Sequence, residues 1–127
     1  MSYTAVVLDE ADQQKLIDRF RNLIPPQWKI YCHHMTINLG EFDKGPLPAS
    51  GFNLNDKIKL EVISLAYDDL VMAVGIGDSS NVPSTNQIKH ITVAVNEKNG
   101  GKPYLSNKLT NWTPTTPLTL NGTIMEQ

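Results

Sequence analysis

Apolar and polar positions alternate along much of this chain, and where the alternation stops the spacing turns helical. Residues 3–8 are apolar and partly β-branched, which predicts a short buried strand. Asp9 then suits the N-cap of a helix, with Glu10 and Asp12 in its first turn, where carboxylates oppose the exposed N–H groups. Leu16, Ile17, Phe20, Leu23 and Ile24 fall on one helical face, so the helix is expected over 10–24. Pro25 and Pro26 end it, because neither can donate the next hydrogen bond. Trp28, Lys29 and Ile30 lead into residues 31–40, where alternation returns. Met35, Ile37 and Leu39 point one way there, and His34, Thr36 and Asn38 the other.

Residues 40–55 hold two prolines and three glycines and read as a long irregular loop. Over 57–66, Ile58, Leu60 and Val62 alternate with charged residues, and then Ile63 and Leu65 break the phase. That change predicts a bulge, or a strand buried on both faces. A turn at Tyr67, Asp68 and Asp69 and an apolar run over 70–76 complete a hairpin. The polar segment 78–87 delivers the chain to residues 89–96, where Ile91, Val93 and Val95 alternate with His90, Thr92, Ala94 and Asn96. A loop with a glycine pair follows, then a helical turn over 104–109. Residues 111–117, rich in threonine and proline, are expected to be irregular, and 118–125 to form a last strand at a sheet edge. The fold class expected is α+β, dominated by antiparallel strands, in a single domain spanning 1–127.

Composition narrows the partners. At 127 residues the chain can bury a core without staples. A formal charge of −2 argues against wrapping DNA or a long nucleic acid, which calls for a strongly basic surface. A small nucleotide or the end of an RNA strand remains compatible. With Cys32 alone there is no internal disulfide, and no basic, apolar leader or membrane span is evident, so a cytoplasmic protein is expected.

The two polar strand faces carry the candidate chemistry. A lone strand histidine is ordinarily structural, but His-apolar-Thr-apolar occurs here twice, at His34 to Ile37 and at His90 to Val93. Residues at i and i+2 share a strand face, about 6–7 Å apart. Two such strands side by side would converge two imidazoles and two hydroxyls on a volume fit for a phosphoryl group. One imidazole can accept a proton while the other donates one, and threonine hydroxyls can donate to phosphate oxygens. None of this needs a metal.

These paired motifs resemble those of the 2H phosphoesterase superfamily, which includes RNA 2′,3′-cyclic phosphodiesterases and RNA-end-repair domains. The resemblance implies two pseudo-symmetric, antiparallel-sheet lobes facing each other across a central cleft, each supplying one motif, with at least one packed helix. It also implies a metal-independent attack of water on a cyclic phosphodiester, with no cofactor. His34 and His90 would share the proton transfers in an order left open, and Thr36 and Thr92 would bind the phosphate.

Other residues are weaker candidates. His33, next to His34, should point to the opposite face, toward the core or a second layer. For the same reason Cys32, His33 and His34 cannot converge on zinc, so no metal site is expected. Tyr104, Lys102 and Trp112 follow the second motif and are candidate substrate-binding residues, by stacking or by charge. The leading function is hydrolysis of a cyclic nucleotide or an RNA-end cyclic phosphate. Two alternatives are a hydrolase of cyclic oligonucleotide messengers and a non-catalytic nucleotide-binding module. A structural protein with two fortuitous motifs would hold His34 and His90 far apart.

Overall fold

In the computed structural model, residues 2–127 are described. Seven strands follow in chain order around one helix: β1 (Tyr3–Leu8), α1 (Glu10–Phe20), β2 (Lys29–Ile30), β3 (His34–Leu39), β4 (Lys57–Tyr67), β5 (Val71–Ile76), β6 (His90–Val95) and β7 (Thr113–Glu126). The strands pair antiparallel in the order β2-β6-β3-β1-β7-β4-β5, and β5 pairs again with β6. That last pairing closes a six-stranded barrel. The expected α+β arrangement of two lobes across a cleft is therefore corrected to a closed, mostly sheet barrel with one short helix. Closure removes sheet edges, which suits strands as apolar as β5, buried at all six of its positions.

The larger of two buried clusters is where Val6, Met35, Ile37, Leu60, Val62, Val74, Ile91, Val93, Leu120 and Ile124 meet, and Ala66, Val71, Ala73, Val95 and Leu109 form the smaller. Helix α1 adds Leu16 and Phe20 to the larger and lies along β7. Polar ties fix that contact: Asp12 accepts from the Asn121 backbone N–H at 2.8 Å, and Lys15 and Arg19 donate to the Thr119 and Thr116 carbonyls. The α-helix stops at Phe20, short of the expected 24, and a 3-10 turn covers Arg21–Leu23. Leu23 is exposed as a result. Among the described residues no helix is long and apolar enough to cross a membrane.

Two features of the sheet explain where alternation misleads. The phase change in β4 is a bulge: its register with both β5 and β7 shifts between Val62 and Ser64. The last strand begins at Thr113 rather than 118, and it is interior, paired with β1 on one side and β4 on the other. Pro114 and Pro117 fit in β7 because they lie where the β4 bulge interrupts regular pairing. The hairpin turn forms as expected, with the Asp68 carboxylate accepting from the Leu70 and Val71 N–H groups.

The long loop after β3 is clamped by Asn38. Its Nδ2 donates to the Leu39 and Glu41 carbonyls, and a Cβ on Gly45 would stand 2.0 Å from its Oδ1. Only glycine fits at 45, and Leu47 then enters the core. Asn38, on the polar face of the motif strand by sequence, is thus a buried loop anchor.

Candidate active site

Strands β3 and β6 are direct neighbours, joined at the pair Met35↔Ile91. Carried one residue in each direction, that antiparallel register sets His34 opposite Thr92 and Thr36 opposite His90. The repeat is therefore related by a local two-fold within one barrel wall, not across a cleft between lobes. Met35, Ile37, Ile91 and Val93 face the core, so the His and Thr side chains stand on the outer face. There His33, His34, Thr36, His90 and Thr92 line one cavity of about 520 Å³.

A bulge at the start of β3 decides which side chains arrive. Lys29↔Val95 and Ile30↔Ala94 set one register with β6, and Met35↔Ile91 lies two residues out of it. The extra residues are absorbed where Tyr31 and Cys32 both donate to β6, at the Val93 and Thr92 carbonyls. Cys32 takes the left-handed conformation, φ 49°, which costs a non-glycine residue about 1–3 kcal/mol. The alternation breaks as a consequence. Cys32 and Met35 are both fully buried, and both intervening histidines face outward. The expectation that His33 points away from His34 is corrected by this bulge. A second irregularity, between Thr4 and Ala5 on the β1 side, turns Leu39 out of the core, and it is 74% exposed at the cavity wall.

The two histidines of the motifs have different surroundings. His90 is 7% exposed, and its Nδ1 lies 2.7 Å from the Ile88 carbonyl. A carbonyl only accepts, so Nδ1 carries the proton and the neutral ring keeps its lone pair on Nε2. His34 stacks on Tyr3 with ring centroids 4.9 Å apart, and its Nδ1 is 3.0 Å from Nδ1 of His33. Burial, aided by the nearby His33 and His90 imidazoles, pushes the His34 pKa down to about 4. At neutral pH it is uncharged.

The threonines differ as well. Thr92 Oγ1 lies 2.8 Å from the hydroxyl of Ser106, which is 1% exposed, and 3.4 Å from the Pro103 carbonyl. These bonds hold the turn Pro103–Lys108 against β6. Thr36 makes no side-chain hydrogen bond among the described residues, while its carbonyl accepts from Ser84 at 2.8 Å.

Of the expected binding residues, Tyr104 lines the cavity with its exposed ring. Trp112 lines a neighbouring cavity of about 380 Å³ that shares His90, Asn86 and Asn107 with the first. Its ring centroid is 6.3 Å from that of His90, and it lies over Gly75, where a Cβ would come within 3.3 Å of the indole. Lys102 is exposed and lines neither cavity. Sequence reasoning missed Tyr3, Asn86, Asn107 and Ser106, which reach the site only through tertiary pairing. Tyr31, which also lines the cavity, donates to Glu97 at 2.6 Å, and that bond pushes its pKa up to about 12. Among the described residues no three His, Cys, Asp or Glu side chains converge as a metal ligand set.

Residues 15–123 match the family model described as the fungal tRNA ligase phosphodiesterase domain. No curated protein and no solved structure matches the chain.

Proposed function

Because the chain belongs to the fungal tRNA ligase phosphodiesterase domain family of 2H phosphoesterases, we propose that it hydrolyses 2′,3′-cyclic phosphodiesters with His34 and His90 as the proton-transfer pair. The observation that carries this reading is the single register pair Met35↔Ile91, which sets the two motifs side by side and antiparallel on one face. Water attacks phosphorus, a new P–O bond forms, and the bond to one ribose oxygen breaks. One imidazole takes the proton released by the water, and the other gives a proton to the departing ribose oxygen, leaving a phosphomonoester and a free hydroxyl.

The environments support a division of roles. His34 is uncharged at neutral pH and so is in the form that accepts a proton. His90 rests its Nδ1–H on the Ile88 carbonyl, which fixes the ring and leaves Nε2 as the nitrogen that can carry a proton to the leaving oxygen. The unengaged Thr36 hydroxyl is the readier donor to a non-bridging phosphate oxygen, and Thr92 can add a second while held by Ser106. Tyr104 at the cavity mouth offers an aromatic face to a base, and Trp112 and Lys108 in the adjoining cavity offer a second face and a cation to an extended substrate. This division of labour requires no metal, and the nucleotide or RNA end is the only partner it needs.

The test is a product-resolved assay on nucleoside 2′,3′-cyclic phosphates, short RNAs ending in a cyclic phosphate, and cyclic di- and trinucleotides, each with and without EDTA. Turnover of terminal cyclic phosphates, undiminished by EDTA, is the expected result. Loss of activity in EDTA would overturn the metal-independent reading, and turnover of cyclic oligonucleotides alone would favour a signal-degrading hydrolase. Tight binding with no turnover of any substrate would leave a nucleotide-binding module.

A further inference from the structure

The bulge that opens β3 spends backbone strain to bring a third imidazole to the site. Strain of this kind persists where the surrounding structure holds it, and it marks functional positions more often than neutral ones. At Cys32 its visible consequence is that His33 shares the outer face with His34, their Nδ1 atoms 3.0 Å apart and their rings edge to face at 81°.

Two nitrogens at that distance hold one proton between them: one donates and the other accepts. His34 thereby has its Nδ1 committed to His33, and Nε2 is left for the cavity. His90 is arranged alike, with Nδ1 committed to the Ile88 carbonyl. We propose that His33 is a positioning residue for His34: it accepts the His34 Nδ1–H, and so fixes the ring orientation and the tautomer that presents an unprotonated Nε2 to the substrate. The proposal rests on the phosphodiesterase reading for its role in turnover, but not for its geometry.

The acceptor is conditional, unlike a carbonyl. A protonated His33 has an N–H where the lone pair was, can no longer accept, and repels charge on its neighbour. The other groups facing the pair are His90 from β6, Tyr3 from β1, Tyr31, and Tyr104 from the turn Pro103–Lys108. No carboxylate or lysine lines the cavity among the described residues; Glu97 and Lys29 contact Tyr31 without lining it. His33 is therefore the acceptor within reach of His34 Nδ1, and one that can itself bind a proton.

The experiment compares the full chain with His33→Asn, whose Oδ1 stands at the same bond count as Nδ1 and accepts without titrating, and with His33→Leu, which cannot accept. Long-range proton–nitrogen NMR reads the His34 tautomer and pKa directly, without substrate. At pH 7 the wild type and His33→Asn should carry the proton on His34 Nδ1, and His33→Leu should shift it toward Nε2. In both variants the His34 pKa should rise toward the ordinary imidazole value of about 6.5, since one like-charged neighbour is gone. On a nucleoside 2′,3′-cyclic phosphate, His33→Leu should lose about tenfold or more in kcat with KM little changed, a size typical of lost orienting partners. His33→Asn should restore most of that rate and move the acidic limb of the pH profile upward.

Wild-type His34 protonated on Nε2 at pH 7 would overturn the proposal, as would a His33→Leu variant with unchanged tautomer and rate. If His33→Leu does not fold, the wild-type tautomer and the His33→Asn pH profile decide the matter. Absence of turnover in the wild type would overturn the phosphodiesterase reading alone, and the NMR result would still decide the role of His33.

Discussion

On β6 the motif histidine rests on the backbone, its Nδ1 at 2.7 Å from a carbonyl; on β3 its counterpart rests on another side chain, Nδ1 to Nδ1 at 3.0 Å. The threonines divide the same way. Thr92 is tied to Ser106 and through it to the turn that carries Tyr104, whereas Thr36 is untied among the described residues. Both strands are paired along both edges, β6 to β5 on one side and to β2 and β3 on the other, and β3 to β1 and β6. The β3 motif starts at a bulge. One four-residue pattern thus sits on two different sets of supports. A pattern repeated in sequence identifies the reacting groups; the supports around each copy decide what each can do.

The largest effect that tests this comparison is loss of either histidine. His34→Ala and His90→Ala should each lower kcat by about 10²- to 10⁴-fold, the range of a single acid or base. Because the two act on one transition state, the double variant should fall little below the worse single variant. Steady-state kinetics on a cyclic phosphate, with circular dichroism to verify folding, make the measurement. A variant retaining wild-type kcat would remove its histidine from the mechanism and leave the symmetry of the motifs without chemical meaning.

The threonines separate the halves more finely. Thr92→Val strands the buried Ser106 hydroxyl, which costs about 1–3 kcal/mol of stability. It should lower Tm as well as kcat. Thr36→Val breaks no bond within the protein and should lower kcat with Tm nearly unchanged. Adding Ser106→Ala to Thr92→Val removes the stranded group and should recover part of the lost Tm but none of the lost rate. Equal thermal shifts for the two Thr→Val variants would show that the two halves are supported alike.

Much of this comparison was legible before the fold was seen. The two motifs, their strand character and the hairpin follow from apolar spacing, which is a local property, and the phase change in β4 was narrowed to a bulge or a strand buried on both faces. Closure of the barrel does not, because alternation says which face of a strand is buried and nothing about which distant strand it meets. Only the start of strand β7, from Thr113 to Pro117, was hidden, by Pro114 and Pro117, whose tolerance depends on the bulge in its partner. His33 was hidden for a different reason. The left-handed residue that turns it is Cys32, and cysteine, unlike glycine or asparagine, gives no sign in sequence of adopting that conformation. Leu39 was misplaced by the same kind of irregularity, set by pairing with β1. A single bulge reverses the facing of everything beyond it, so sequence reading placed His34 and Thr36 correctly and failed on either side of them.

The smallest expected effect concerns stability against pH, and it tests the buried state of His34 without any substrate. In the folded protein His34 titrates at about 4, against about 6.5 for an unperturbed histidine in the unfolded chain. Between these values the unfolded chain binds more protons than the folded one, so stability rises with pH across the window. The contribution is fully present above 6.5, is lost progressively as pH falls to 4, and changes no further below that. The carboxylates also titrate in acid, so the useful quantity is the difference between two proteins that share them. His34→Gln keeps the size and polarity of the side chain but has no proton to bind. From pH 7 to pH 4.5 the wild type should lose a few degrees more in Tm than His34→Gln. Parallel curves for the two proteins would mean that His34 charges in the folded state as it does in the unfolded chain, and the charge-resisting surroundings that set the β3 half of the site apart would then be absent.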